Sequence, residues 1–152
     1  MGGSVHRFSE EVESALIAAG WTPGRTVDVS PWRDQFESAG ISMHKAAERF
    51  LKEFGGLDVR ISGSGVTRSK EPFEFDPALA LGDEDMFEMW GRRIGHSLFP
   101  LGELDLGRAF LGIDEDGEIY VVSGWLARFG KFDEGLEGLT RGFMPEDVSW
   151  EA

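Results

Sequence analysis

The apolar positions keep a helical period as far as Phe54 and then switch to alternation. Phe8, Val12, Ala15, Leu16 and Ala19 recur at the spacing of one helix face. Ser9 is placed to cap that helix, and Glu10, Glu11 and Glu13 suit the positive end of its dipole. Gly20 is the expected stop, with Trp21 folding back onto Leu16. Thr26–Val29 then predicts a short extended segment. Ser30-Pro31 supplies a cap and a proline at the first helical position of a second helix. Trp32, Phe36 and Ala39 share its face, and Gly40-Ile41 repeats the stop. Ser42 is expected to open a third helix, with Ala46, Ala47, Phe50, Leu51 and Phe54 inward and Gly55-Gly56 at its end.

Beyond the glycine pair, Leu57, Val59 and Ile61 alternate with Asp58, Arg60 and Ser62, as in a half-buried strand. Gly63 to Lys70 reads as a loop. Phe73 and Phe75 alternate with Glu74 and Asp76, which predicts a second strand before Pro77. Asp83, Glu84 and Asp85 precede Met86, Phe87, Trp90 and Ile94, a fourth amphipathic helix ending near Gly95. Leu98 to Leu106 fits a short strand or turn. Two apolar runs, Arg108 to Ile113 and Glu118 to Ser123, flank Asp114-Glu115-Asp116-Gly117 and predict a β-hairpin. A last helix is expected from Asp133 to Arg141, closed by Gly142, although Gly135 and Gly138 each weaken it by about 1 kcal/mol relative to Ala. This order suits one α+β domain over residues 1–152, with 1–8 and 144–152 as loose termini.

Composition narrows the class. The chain has 152 residues, 41% of them hydrophobic, including 12 Phe and 5 Trp, enough for a core without staples. With no cysteine, a disulfide framework, a thiolate metal site and a thiol nucleophile are all excluded. No stretch approaches the roughly 20 apolar residues of a membrane-spanning helix. The opening residues lack the layout of a secretory signal, so a soluble cytoplasmic protein is expected. The 15 Lys and Arg stand against 28 Asp and Glu, a net charge of −13. Residues 1–70 balance at nine acids and nine bases; residues 71–152 hold nineteen acids and six bases and carry the whole excess. That sign disfavours nucleic acid as a ligand. It fits either a surface kept soluble by its charge or one that attracts a basic partner.

Candidate chemistry is sparse. Setting Gly117 as the glycine of a calcium loop puts Asp114 and Asp116 at the third and fifth positions, but Gly112 and Ser123 where carboxylates are required. The better account is a solvated hairpin tip. His44 and Glu48 lie four apart and supply too few ligands for zinc; His6, His44 and His96 read as structural or exposed. No nucleophile elbow, phosphate loop or dinucleotide fingerprint occurs. Glu103 and Asp105 form an acid–base pair in principle, a weak basis for a hydrolase. Trp21, Trp32 and Trp90 are expected to pack, Trp125 to face solvent or a partner, and Trp150 to lie in the tail. No catalytic residue, metal or cofactor is indicated.

Ala19-Gly20-Trp21, Gly24-Arg25, Trp32 and Phe50-Leu51-x-x-Phe54-Gly55-Gly56-Leu57 together resemble the opening of the third family of the SUKH superfamily. Pro100-Leu101-Gly102, the hairpin from Gly107 to Tyr120 and Leu136-x-x-Leu139 continue the resemblance, which spans Leu16 to Gly142. It implies a mixed, mostly antiparallel sheet with about five helices packed around it. It also implies an immunity protein, without catalytic residues, that neutralises a toxin domain of bacterial polymorphic or contact-dependent systems, often a nuclease or nucleic-acid deaminase. An interaction or regulatory module of the same fold is the alternative. A toxin acting on nucleic acid presents basic surface, so the expected contact residues are acids of the fourth helix (Asp83, Glu84, Asp85, Glu88) and of the hairpin (Asp114, Glu115, Asp116, Glu118), with Trp125. The expected partner is a basic toxin domain, bound by a monomer or weak homodimer.

Overall fold

The computed structural model describes residues 7–148. Five α-helices surround one sheet: α1 (Glu10–Ala18), α2 (Ser30–Ser38), α3 (Lys45–Phe54), α4 (Glu84–Ile94) and α5 (Phe132–Arg141). The strands are β1 (Asp58–Val59), β2 (Phe73–Glu74), β3 (Phe99–Leu104), β4 (Ala109–Ile113), β5 (Glu118–Val122), β6 (Leu126–Lys131) and β7 (Glu146–Asp147). They pair in chain order, each antiparallel to the next, as a seven-stranded meander. The fold is a single α+β domain as expected, but its sheet is antiparallel at every described pairing rather than mixed.

Alternation assigns the two faces of the sheet. Val59, Phe73, Leu104, Leu111, Val121 and Ala127 are buried on one of them. There the Phe50 ring of α3 stands edge-on to Phe75 at 5.0 Å, and Gly135 of α5 lies against Ile119. On the other face α4 crosses the sheet: Phe87 packs at a tilt on Phe110 at 5.9 Å and closes over Gly112.

The helix ends follow local chemistry, with corrections. Ser9 caps α1 through the Val12 amide, and Gly95 and Gly142 end α4 and α5 in the left-handed conformation. Ser30 is not a cap. It lies inside α2, and the Asp28 carboxylate takes its N–H at 2.9 Å and its hydroxyl at 2.7 Å. Ser42 is exposed and outside any helix; α3 begins three residues later. His44 caps it, Nδ1 accepting from the Ala47 amide at 3.1 Å while Nε2 faces the Ile113 carbonyl at 3.1 Å. That pair of bonds selects the neutral tautomer with its proton on Nε2.

Other expectations shift in the same way. Thr26–Val29 is not a strand; Val27 donates to the Lys52 carbonyl at 2.8 Å and is tied to α3 instead. Ala39 is exposed, and β1 stops before Ile61. Strands β6 and β7 were not legible. Within the two end segments, Phe8 is 3% exposed, and Glu146–Asp147 pairs with β6. Residues 1–6 and 149–152, with His6 and Trp150, lie outside the described residues.

The family-like residues meet at the end of α3. Arg25 donates to the Glu53 carbonyl at 2.6 Å and the Gly55 carbonyl at 2.8 Å, satisfying acceptors that the helix end leaves open. Trp21 Nε1 donates to the Glu53 carboxylate at 3.0 Å, and Trp32 packs on Gly55. These residues serve the scaffold.

Candidate functional site

The hairpin tip is built around Asp114, which is 2% exposed. Its Oδ1 accepts the N–H of Asp116 at 2.9 Å and of Glu118 at 3.0 Å, and its Oδ2 accepts the Tyr120 hydroxyl at 2.9 Å. Burial, with the bond to Asp114, pushes the Tyr120 phenol far up. Asp114 therefore shapes the turn from within. Glu118 is half-buried, and its Oε2 is enclosed without a hydrogen-bond partner. Burial raises its pKa, against the Gly130 amide and the Arg128 charge.

Glu115 reaches across to the end of α4. One oxygen accepts the Ser97 N–H at 2.8 Å and the other lies 2.9 Å from His96 Nδ1. Asp114 and Asp116 are each 3.9 Å from the same nitrogen. The Glu115 bond raises the imidazole pKa despite desolvation, and the neighbouring carboxylates add to the rise. His96, Glu115 and Asp116 thus bring three possible ligand atoms within 4.8 Å. When protonated, the imidazole itself supplies a positive charge to that group. Asp116, with its side chain 57% exposed, is the most accessible of the expected hairpin acids.

The α4 acids divide between two places. Asp83, Glu84 and Asp85 sit at the helix start, where Glu84 accepts the Gly82 N–H. Glu88, one turn on, stands 3.8 Å from Arg92 and faces an open cleft of about 620 Å³. Ile41, Phe87 and Leu98 provide the cleft's apolar lining, and His96 and Glu115 line it as well. The structure thus brings Glu88 and Glu115 to one concavity.

Trp125 lies elsewhere. It is 49% exposed in the β5–β6 turn, at the opposite end of β5 from the acidic tip, a strand length of roughly 17 Å away. It lines a second concavity of about 310 Å³ with Arg68, Asp105 and Arg108. Glu103 and Asp105 do not converge. Asp105 accepts from Arg108 at 2.7 Å and opens onto the Trp125 concavity, whereas Glu103 lines a groove beside Glu74 and Leu106.

One acidic feature was missed in the sequence. Asp58 pairs with Glu74 across β1–β2, and Glu74 pairs with Glu103 across β2–β3, so three carboxylates form a row over three strands. Glu74 is pushed upward in pKa by burial and then by Asp58, Asp76 and Glu103, with Arg60 opposing. The acids were legible as the outward positions of strands. Their register was not.

Together these features define an α+β domain on one antiparallel meander, with acidic groups at the hairpin tip, along α4 and in register across β1, β2 and β3. The chain belongs to the SUKH-3 immunity protein family, whose model matches residues 8–142. Among curated proteins and among solved structures no match was found. No helix among the described residues is long and apolar enough to cross a membrane.

Proposed function

We propose that this protein binds and neutralises a bacterial toxin domain of a polymorphic or contact-dependent system. Its target is a basic nuclease or nucleic-acid deaminase, and it acts in the cytoplasm by occupying the toxin rather than by turning over a substrate. The observation that carries this reading is the family match over residues 8–142. The net charge of −13 supports the basic target, since an acidic surface raises association rate and selectivity toward a cationic one. Nuclease–immunity pairs reach dissociation constants of about 10⁻¹³ M or below.

The contact residues are drawn from Asp83, Glu84, Asp85 and Glu88, from Glu115 and Asp116, and from Trp125. Asp114 and Glu118 act there through the turn they build. The test is co-expression with any toxin domain found encoded beside this gene, followed by binding kinetics on purified partners. Rescue of growth and a complex of one copy each are expected. Reversing Glu84, Asp85 and Glu88 to Lys should slow association and flatten its salt dependence. Absence of rescue would leave the fold as an interaction module without a toxin. Substrate turnover abolished by replacing a single carboxylate would overturn the non-catalytic reading.

A further inference from the structure

We propose that Phe132 is a positioning residue for partner binding: its ring, seated on Gly117, holds the hairpin tip so that Glu115 and Asp116 meet the partner already ordered. That these acids contact a toxin domain rests on the reading above; the hold on the tip is argued from the backbone and the ring.

Among the described residues, the non-glycine positions with positive φ are Asp105, Leu106 and Phe132. The first two are consecutive between β3 and β4, where left-handed backbone closes a hairpin. Phe132, at φ 46°, stands instead at a junction. Strand β6 ends at Lys131 and α5 begins at the next residue, so the chain passes from strand to helix without a loop. Such a backbone favours glycine, because the Cβ of a bulky residue crowds the following carbonyl oxygen. Strain of this kind persists only where the surroundings fix it.

The ring accounts for the residue. It lies against Gly117, between Asp116 and Glu118, so closely that a Cβ on Gly117 would overlap its Cε2 and Cζ atoms. Gly117 has φ 91°, so conformation and contact both demand glycine there. The Phe132 N–H also donates to the Gly117 carbonyl at 2.9 Å. From α3, the Arg49 guanidinium stands 4.7 Å from the ring centroid.

The tip is thus held from three sides. Asp114 fixes it from within, Glu115 ties it to the Ser97 amide just beyond α4, and Phe132 ties it to the start of α5. Glu115 and Asp116 stay exposed on this frame. Contacts made by a preordered turn avoid the entropy of fixing it on binding, and such gains fall mainly on dissociation. Phe132 carries no charge, so electrostatic attraction does not depend on it.

Two measurements on Phe132→Gly, which relaxes the backbone and removes the ring, test this. First, amide hydrogen exchange is followed by NMR in the free protein. The amides of Asp116, Gly117 and Glu118 should exchange at least threefold faster than in wild type, beyond any change shared by β3 and β4. A smaller excess, or a change spread evenly over the sheet, marks Phe132 as a packing residue only and overturns the proposal. Phe132→Leu, which loses the ring and keeps apolar bulk, is read by the same threshold if Phe132→Gly does not fold. Second, with a toxin domain that the wild type neutralises, the dissociation rate constant should rise at least threefold, with the association rate constant and its salt dependence within twofold. A smaller rise, or a larger change in association, overturns it. If wild type neutralises no toxin, the toxin reading falls, and the exchange measurement still decides the hold on the tip.

Discussion

The Trp32 ring packs against Gly55 so closely that a Cβ at Gly55 would fall 2.6 Å from it and 2.6 Å from the Leu51 carbonyl oxygen. Gly55 has φ −60° and ψ 139°, a conformation open to any residue, so contact alone demands glycine there. This explains the first glycine of the Phe54-Gly55-Gly56-Leu57 run: it lets the second helix's indole lie over the end of α3.

Gly55→Ala should destabilise the protein by about 1–3 kcal/mol, as overpacking does. Adding Trp32→Ala removes one of the two clashes, so the double variant should lose less than the sum of the singles. Urea denaturation of all four proteins of the cycle measures the coupling.

Asp114→Ala should be more damaging, by about 2–4 kcal/mol, because it leaves the Tyr120 hydroxyl and two backbone N–H groups of the turn unpaired. Tyr120→Phe removes one bond and should cost about 1 kcal/mol. Thermal or urea unfolding reads both.

The contact between His96 and Glu115 should make stability depend on pH. The Glu115 bond holds the His96 pKa above its ordinary 6.5, against burial and with the help of Asp114, Glu115 and Asp116. The protonated ring is thus favoured in the folded state. Its contribution is complete below that ordinary value and is lost as pH rises through the raised one. Glu115 moves the other way: burial opposes the shift, but the Ser97 amide, its own backbone and His96 bring it below 4.5. Its contribution is present above the ordinary value and lost as pH falls through the lowered one. Wild type should therefore lose stability relative to His96→Gln as pH rises from the ordinary 6.5 through the raised value. Chemical-shift titration of the imidazole checks the shift directly.

His44→Ala should cost about 1 kcal/mol for the lost cap, and more for the Ile113 carbonyl left without its donor. His44→Asn should restore the cap and recover part of the loss. A full recovery would show that the bond to Ile113 contributes nothing. Urea midpoints of the three proteins decide it.

How far the chain could be read depended on the range of each interaction. Helices α1, α3 and α4 were legible because their periodicity and stops lie within about a dozen residues. His44 was missed as a cap because serine at position 42 offers the commoner signal, while the histidine is held in place by Ile113 from a distant strand. Strand β6 was missed because Leu126–Lys131 alternates poorly and follows a Gly-Trp turn. Two-residue strands such as β7 have no period to detect.

The candidate site divides along the same line. Acidity at the hairpin and on α4 could be seen in the residues themselves. That Asp114 is buried as the turn's acceptor, while Asp116 is exposed, depends on Tyr120 reaching back across the hairpin.

By itself the sequence determined the α+β class, the helix stops, the apolar faces and the negative charge, because these follow from spacing and composition along a short stretch of backbone. Tertiary structure alone decided which carboxylates are consumed by turns, which line a cleft and which oppose one another across strands. Those outcomes depend on pairing between segments tens of residues apart, such as Asp58 with Glu74 and Glu74 with Glu103. A shift of one residue in that pairing would turn the same side chains to the other face.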